Sequence, residues 1–482
     1  SYTIEKNNFM KITTQIIEEL APNASAAKNG RDLVSKNKFS NLHQSEDKTL
    51  IWGECAGSGK NPYYCSADYI DENNPVFRCN CPSRQFPCKH SIGLLYAYEK
   101  GLTFAQSEIP EDIVSKREKI EKKQEKKSQE KESIKEKADK PKKVNKAAVI
   151  KKAEAQLTGV ETATRLLKNI VQMGLSSIDT QNKKMIADQV KDLGNYYIGG
   201  IQTAFNDLLL ELNIVEKDQY TRVINQVNYI TALLKKATEH LTNKKENPEM
   251  PLETQSAIEE QIGYVWKLTE LMQAGLWEEN AEILQLSFYC YDNPARKEYV
   301  DEGYWINLKT GKLYLTKNYR PYKAAKYIKE DNSVFDVLQV SELFIYPGEG
   351  NPRIRWESAG RRDVQKKDIS TINQYASELY PEIVKNSKNQ MKNPLADKNP
   401  IALLKISKVY QNGENLVWED QQGNALTVTD IPHKGISTQN ILKSILPESP
   451  ENLSALVMID NNVETGLFTI QPLSLITRDR II

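Results

Sequence analysis

The sequence predicts an α+β chain of several domains, because its residue pattern changes character three times. Strand-like runs near the start close on a tight group of cysteines and a histidine. The middle runs with helical periodicity, and the part after Leu286 breaks into short alternating or aromatic runs bounded by Gly, Asn and Pro. These changes divide the 482 residues into a helical lead-in at 1–34, a metal-bound finger of strands plus helix at 35–108 and a charged linker at 109–154. A helical bundle at 155–285, a β-rich region with a helix at 286–400 and a small β-barrel or sheet at 401–482 complete the chain. Composition agrees: 39% hydrophobic and 27% charged residues are those of a globular chain, somewhat polar, and the length sets a prior of about three domains.

The finger is justified by four ligands. Cys79, Cys81, Cys88 and His90 fall within twelve residues as Cys-x-Cys-x6-Cys-x-His, and four sulfur or imidazole donors are what a closed tetrahedral zinc site requires. Residues i and i+2 of a strand share a face, so Cys79 and Cys81 turn toward one metal before Pro82 ends the strand. From Cys88 onward Ile92, Leu95, Tyr96 and Glu99 follow helical spacing, which puts Cys88 and His90 at a helix entrance. Three thiolates and a neutral imidazole around Zn²⁺ leave a net charge of about −1, which Arg78, Arg84 and Lys89 lie near enough in sequence to offset. With all four positions taken by protein there is no place for a reactive water, so the site reads as structural.

A strand pair, Cys-x-Cys, a loop, then Cys-x-His leading a helix resembles the SWIM-type zinc finger, whose pattern these four residues fill completely. Ile51–Cys55 and Tyr63–Ala67 look like its preceding strands, and Cys81–His90 resembles bacterial SWIM proteins often encoded beside MoxR-type AAA+ ATPases and von Willebrand A-domain proteins. The resemblance covers residues 35 to 105. It implies one structural zinc and a protein partner of that kind.

The linker is justified by charge. Lys116–Ala155 holds 16 Lys or Arg against 8 Asp or Glu, so the formal net charge of +1 hides a deficit of 7 elsewhere. Almost no apolar residue interrupts this stretch and no heptad seam runs through it, so it reads as a solvated spacer, helical or disordered, with Pro141 as a breaker. Such a tether also offers phosphate contacts to nucleic acid.

The bundle follows from Leu157, Val160, Leu167, Ile170 and Val171, then Met185, Ile186, Val190 and Leu193, with further helices at Ile201–Leu212, Tyr220–Leu241 and Leu252–Ala274. Tyr196, Tyr197, Trp266 and Trp277 read as core or boundary aromatics, and no Glu-x-x-His pairs mark a di-iron core. Strands are expected at 286–291, 303–308, 312–316, 335–341 and 344–346, with a hairpin at Asn307–Leu315 turning on Gly311, then a helix over 363–386. The final unit takes strands at 402–409, 415–419, 425–428, 455–459 and 467–475 and a helix at Ser437–Ile445. Trp305, Tyr314, Tyr319, Arg320, Tyr322, Lys323 and Lys326 form the best aromatic and basic interleave for stacking bases while holding phosphates; a solvent-facing hairpin has the same composition.

Enzyme signatures fail. Gly53–Asn61 imitates a phosphate loop with one residue too many and Asn61 in place of the magnesium-binding Ser or Thr, so it reads as a turn between strands. With His90 committed to zinc, His43, His240 and His433 stand isolated, Asp430 beside His433 notwithstanding. Cys55 and Cys65 fit a second metal pair, a cross-strand disulfide or buried free thiols, and Cys290 reads as core. Six cysteines are too few for a disulfide scaffold, the first residues lack a signal-peptide pattern, and no run approaches the ~20 apolar residues of a membrane span. The expectation is a cytoplasmic, non-catalytic, zinc-binding interaction protein, with nucleic-acid binding through finger and linker as the alternative.

Overall fold

The computed structural model describes residues 12–482 except 58, 60, 72–74, 84–86, 120–144, 216–219, 295, 326–327, 329, 432–436, 447–452 and 463–464. Most of the charged linker, and with it Pro141, therefore lies outside the described residues, as do Arg84, Lys326 and His433. The chain divides into two compact units: residues 1–139 with 320–332 and 358–361, and residues 140–319 with 333–357 and 362–482. No helix among the described residues is long and apolar enough to cross a membrane.

In the first unit, α1 (Thr14–Leu20) and α2 (Ala24–Ser35) start on side-chain caps, with Thr13 and Asn23 accepting from the backbone N–H of Ile16 and Ala26. A sheet follows, built from β1 (Phe39–Ser45), β2 (Leu50–Cys55), β3 (Tyr63–Asp68), β4 (Val76–Cys79) and, after α3 (Lys89–Glu99), β5 (Ala105–Ser107). Strand order is β4-β3-β2-β1-β5, antiparallel except for the β1/β5 pair. Period-two alternation gives this sheet two buried faces. One presents Ile51, Cys55, Cys65, Ala67 and Phe77 to α1, α2 and α3. The other presents Leu50, Trp52 and Tyr64 to Ile109 and Ile113. Ile113 belongs to α4, helical over 111–119. Composition placed these residues in the linker, yet Ile113 is fully buried and the chain folds back onto the finger sheet before its most charged stretch begins.

The second unit opens with a bundle of α5 (Lys146–Met173), α6 (Thr180–Asp192), α7 (Gly199–Ile214) and α8 (Thr221–Glu246) around Val160, Ile170, Ile201, Phe205, Ile230 and Leu233. Helix α5 begins within the charged stretch, capped by Asn145. The helix expected over 252–274 is instead two short ones, α9 (Ile258–Ile262) and α10 (Leu268–Gln273). Gly263 separates them at φ 136, a conformation open to glycine, and its position packs against the backbone of Gly199 and Gly200. A Cβ on Gly200 would stand 2.1 Å from the Gln261 carbonyl oxygen. Backbone cannot yield as a side chain does, so Gly200→Ala is expected to destabilise the bundle by about 3 kcal/mol. A urea midpoint unchanged from wild type would contradict that close approach.

Strands begin earlier than expected, at Trp277. A sheet of order β10-β9-β6-β7-β8 contains β6 (Trp277–Asn293), β7 (Glu298–Asn307), β8 (Leu313–Pro321), β9 (Val337–Ile345) and β10 (Ile354–Arg355), followed by β11 (Ala359–Arg362). The β7/β8 hairpin turns on Gly311 at φ 72, as its sequence requires. The helix expected over 363–386 is divided into α11 (Lys366–Tyr375) and α12 (Tyr380–Lys392), because Ser377 leaves the helix to exchange backbone hydrogen bonds with Leu403 and Lys405, and Pro381 starts the next one. The last sheet runs β12-β16-β17-β15-β14-β13, from β12 (Ile401–Ile406), β13 (Lys408–Asn412), β14 (Asn415–Glu419), β15 (Ala425–Val428), β16 (Leu453–Asn462) and β17 (Leu467–Ile476), with α13 (Gln439–Ile445) between β15 and β16. Leu286, Tyr304 and Ile306 of the middle sheet share a core with Leu403, Leu456 and Ile476 of the last.

Three side-chain expectations are corrected here. Trp305, Tyr314 and Arg320 are 3%, 1% and 7% exposed, so these three of the interleave present no stacking face: Trp305 donates to Thr316, Tyr314 to Glu278, and Arg320 pairs with Glu330, while Tyr322 and Lys323 are exposed. Cys290, expected in the core, is exposed toward the end of β6 and donates to Asp301 at 3.1 Å. Tyr197, expected as a core or boundary aromatic, is also exposed, held at φ 57 where the helix before it ends.

Candidate metal centre

Strand β4 stops at Cys79, and Asn80 closes the ladder by donating its N–H to the Tyr64 carbonyl while its side-chain oxygen accepts from the Tyr64 N–H. The chain then bends at Cys81 and Pro82 and returns at Cys88, the N-cap of α3, with His90 in the first turn. Helix α3 is buried from His90 to Ala97, wedged between the sheet and α2. The two helices meet at glycines: a Cβ on Gly93 would lie 3.1 Å from the Gly30 carbonyl oxygen and 2.8 Å from the Phe39 ring. This backbone-to-backbone contact fixes where the helix end, and so Cys88 and His90, must sit.

Backbone placement converges the four side chains. One ligand atom from each of Cys79, Cys81, Cys88 and His90 lies within 4.8 Å of all the others. The Cys79 and Cys88 sulfurs each stand 3.8 Å from His90 Nδ1. Zinc–sulfur and zinc–nitrogen bonds of about 2.3 and 2.0–2.1 Å at tetrahedral angles give sulfur–nitrogen separations of about 3.6 Å, so the donors stand close to bonding positions. The residues present fit a zinc ion held by three thiolates and one imidazole nitrogen.

The ligands also hold one another's protons. Hydrogen bonds from Cys79, His90 and Ser91 hold Cys88 down at about 3, and the Cys79 thiol that donates to it is pushed up, as burial pushes up Cys81. A cysteine at a helix N-terminus favours the thiolate in any case. Tyr63 lies against the His90 ring with centroids 4.7 Å apart, shielding that side of the imidazole.

Of the residues expected to offset the charge, Arg78 is engaged elsewhere and Arg84 lies outside the described residues. Arg78 follows the strand alternation to the opposite face, where it donates to Asp68 at 2.9 Å; Lys89 is exposed. Asp68 is fully buried and also receives Arg117 of α4, with Nη2 at 2.7 Å and Nε at 3.2 Å. Arg117 reaches on to Thr49 Oγ1 at 2.9 Å. One carboxylate thus ties the strand that carries Cys79 to the helix that leads into the charged segment. Sequence reading passed over this clamp.

Cys55 and Cys65 lie on the zinc face as free, buried thiols, pushed by burial up to about 11 for Cys55 and well above the usual thiol range for Cys65. The other described histidines have other partners: His43 stacks on Trp52 and bonds Ser107 at 2.8 Å, and His240 lies 3.1 Å from Glu259, which also pairs with Lys244.

No curated protein matches this chain. Among solved structures, one described as a murine DNA binding protein bound with double-stranded DNA is 8% identical, covers 40% of this chain and 90% of its own, and has a TM-score of 0.19, a level at which neither fold nor function carries across. Residues 78–99, which contain all four ligands and the whole of α3, match the family model of the SWIM zinc finger.

Proposed function

We propose that this protein is a non-catalytic adaptor or scaffold of the cytoplasm whose zinc is structural and whose partner is another protein. The observation that carries this reading is the closed ligand set: Cys79, Cys81, Cys88 and His90 supply all four positions of a tetrahedral ion, so no position is left for water or substrate. Free thiols at Cys55 and Cys65 suit a reducing compartment. Resemblance to bacterial SWIM proteins makes a MoxR-type AAA+ ATPase or a von Willebrand A-domain protein the partner to look for first.

A second reading, nucleic-acid binding, is favoured by one observation, the surplus of 8 positive charges in Lys116–Ala155. Burial of Trp305, Tyr314 and Arg320 takes three of the seven residues out of the aromatic and basic interleave that would have supported it. The two separate in affinity capture of the tagged full chain from its native cells, with nuclease and moderate salt, beside a Cys88→Ser bait. The adaptor reading expects stoichiometric, nuclease-resistant recovery of an ATPase or A-domain protein that is lost with Cys88→Ser. Recovery of nucleic acid alone, abolished by nuclease, would replace it with the second reading.

A further inference from the structure

Five of the six cysteines belong to the finger, and three of those five are ligands, beside His90. The other two, Cys65 on β3 and Cys55 on β2, differ in one respect that the strand register decides. Cys65 of β3 is paired directly with Cys79 of β4. Cys55 has Tyr63 as its β3 partner. Because the adjacent pair Tyr64/Asn80 is joined by the Asn80 N–H to the Tyr64 carbonyl, alternation along an antiparallel ladder makes Cys65/Cys79 a pair without mutual hydrogen bonds. Its Cα atoms then lie about 4.5 Å apart, with the side chains on one face. Disulfides take Cα separations of about 4.4–6.8 Å, so the backbone already holds these two residues where a disulfide closes.

The ligand sulfurs also lie within 4.8 Å of one another, but no strand ladder sets their backbones opposite Cys79. Cys79 and Cys81 are neighbours i and i+2 around a chain bend, and Cys88 sits on a different element whose place is set by the Gly30/Gly93 contact. Accessibility is divided in a useful way: Cys79 is partly exposed, whereas Cys65 is fully buried, its sulfur 3.6 Å from the Gly53 carbonyl oxygen.

We propose that Cys65 is the resolving thiol of an oxidation site on the finger, closing a disulfide with Cys79 when a hydroperoxide attacks the ligand set. The Cys79 sulfur, a thiolate when it serves as a ligand, attacks the peroxide, forming an S–O bond and breaking O–O, and the alkoxide or hydroxide takes up a proton from water and departs. Cys79 is then a sulfenic acid and the ligand set is reduced to Cys81, Cys88 and His90. The Cys65 sulfur attacks the Cys79 sulfur, S–S forms, S–O breaks, and hydroxide leaves as water with the Cys65 proton. Two thiols lose two electrons and the peroxide gains them. Closure before further oxidation keeps Cys79 on the reversible part of the sulfur ladder, from which a dithiol restores it. Metal binding and reversible oxidation thereby exclude one another at Cys79.

The inference rests on the zinc reading of the site, and the test separates the two. Zinc per chain is measured first in the full-length protein. Hydrogen peroxide is then added while released zinc is followed with a chromogenic chelator, free thiols are alkylated, and linked peptides are mapped by mass spectrometry. The expected result is a Cys65–Cys79 peptide that grows in step with zinc release, with zinc binding recovered after dithiothreitol. In Cys65→Ala the starting zinc content is expected to be unchanged, while recovery after reduction falls several-fold as Cys79 passes to sulfinic and sulfonic acid; Cys55→Ala should behave as wild type. Mapping in the unaltered chain requires no variant to fold. A Cys79 bridge to Cys81 or Cys88 with Cys65 alkylated, or full recovery in Cys65→Ala, would overturn the inference with the zinc site intact. Absence of zinc at the outset would overturn the zinc reading, and the same mapping on that protein would still decide the Cys65–Cys79 pairing.

Discussion

Cys88→Ala is expected to abolish zinc binding and to produce the largest loss of stability available from one substitution in the first unit. Cys88 is both a ligand and the N-cap of α3, so its loss releases the helix end that carries His90 and the turn that returns from Cys81. In small zinc domains the ion contributes ~10–16 kcal/mol of apparent binding energy to the fold. Here the sheet also has an apolar core formed with α2 and α3, so the expected loss is a fraction of that sum. It should be concentrated in β4 and the first turn of α3, read as hydrogen exchange that accelerates at residues 76–81 and 88–93 with a lowered melting temperature. Chelation of the wild-type protein should reproduce both effects. A Cys88→Ala chain with full zinc content and wild-type exchange would refute the ligand assignment.

Asp68→Ala is expected to cost about 3–5 kcal/mol, the usual effect of removing one partner from a buried ion pair. The carboxylate is fully buried between two guanidinium groups whose side chains are only 17% and 11% exposed, those of Arg78 and Arg117. Without it two cations remain in a poorly solvated place and α4 loses its strongest polar anchor, leaving Ile109, Ile113 and the Arg117 contacts to Thr49 and Asp47 to hold it. Urea unfolding should show a lower midpoint at nearly constant slope, and proteolysis should advance from the charged segment into residues 111–119. A double substitution, Asp68→Ala with Arg117→Leu, should recover part of the loss by removing one stranded charge. A fall below about 1 kcal/mol, the range of exposed ion pairs, would mean that the clamp is not buried as described.

The parts of the fold that local rules dictate were legible in the sequence. The ligand spacing is local, the strand and helix around it follow from periods of two and 3.6, and Gly311 announces the β7/β8 turn. Long-range pairings were not. Asp68 and Arg117 are 49 positions apart and carry no shared period, so nothing in sequence couples them, and a run of charge hid a helix that contributes Ile113 to a core. Side-chain direction was the other failure. Trp305, Tyr314 and Arg320 sit in a stretch whose composition suits a binding surface, but their burial is decided by partners such as Thr316, Glu278 and Glu330. Cys290 lies toward the far end of a long strand, beyond the part of β6 that the core covers. The helices expected at 252–274 and 363–386 broke at Gly263 and at Ser377, the first where two backbones touch and the second where a strand edge captured a residue. Hydrophobic period alone registers neither event.

Zinc K-edge X-ray absorption on the full-length protein, together with its metal content, tests the central claim most directly. The expected result is one zinc per chain with three sulfurs at about 2.3 Å and one nitrogen at about 2.0–2.1 Å, the shell that Cys79, Cys81, Cys88 and His90 provide. A shell of four sulfurs would place Cys55 or Cys65 among the ligands, and an oxygen-bearing shell would mean an open, water-accessible ion; either would contradict a closed structural site.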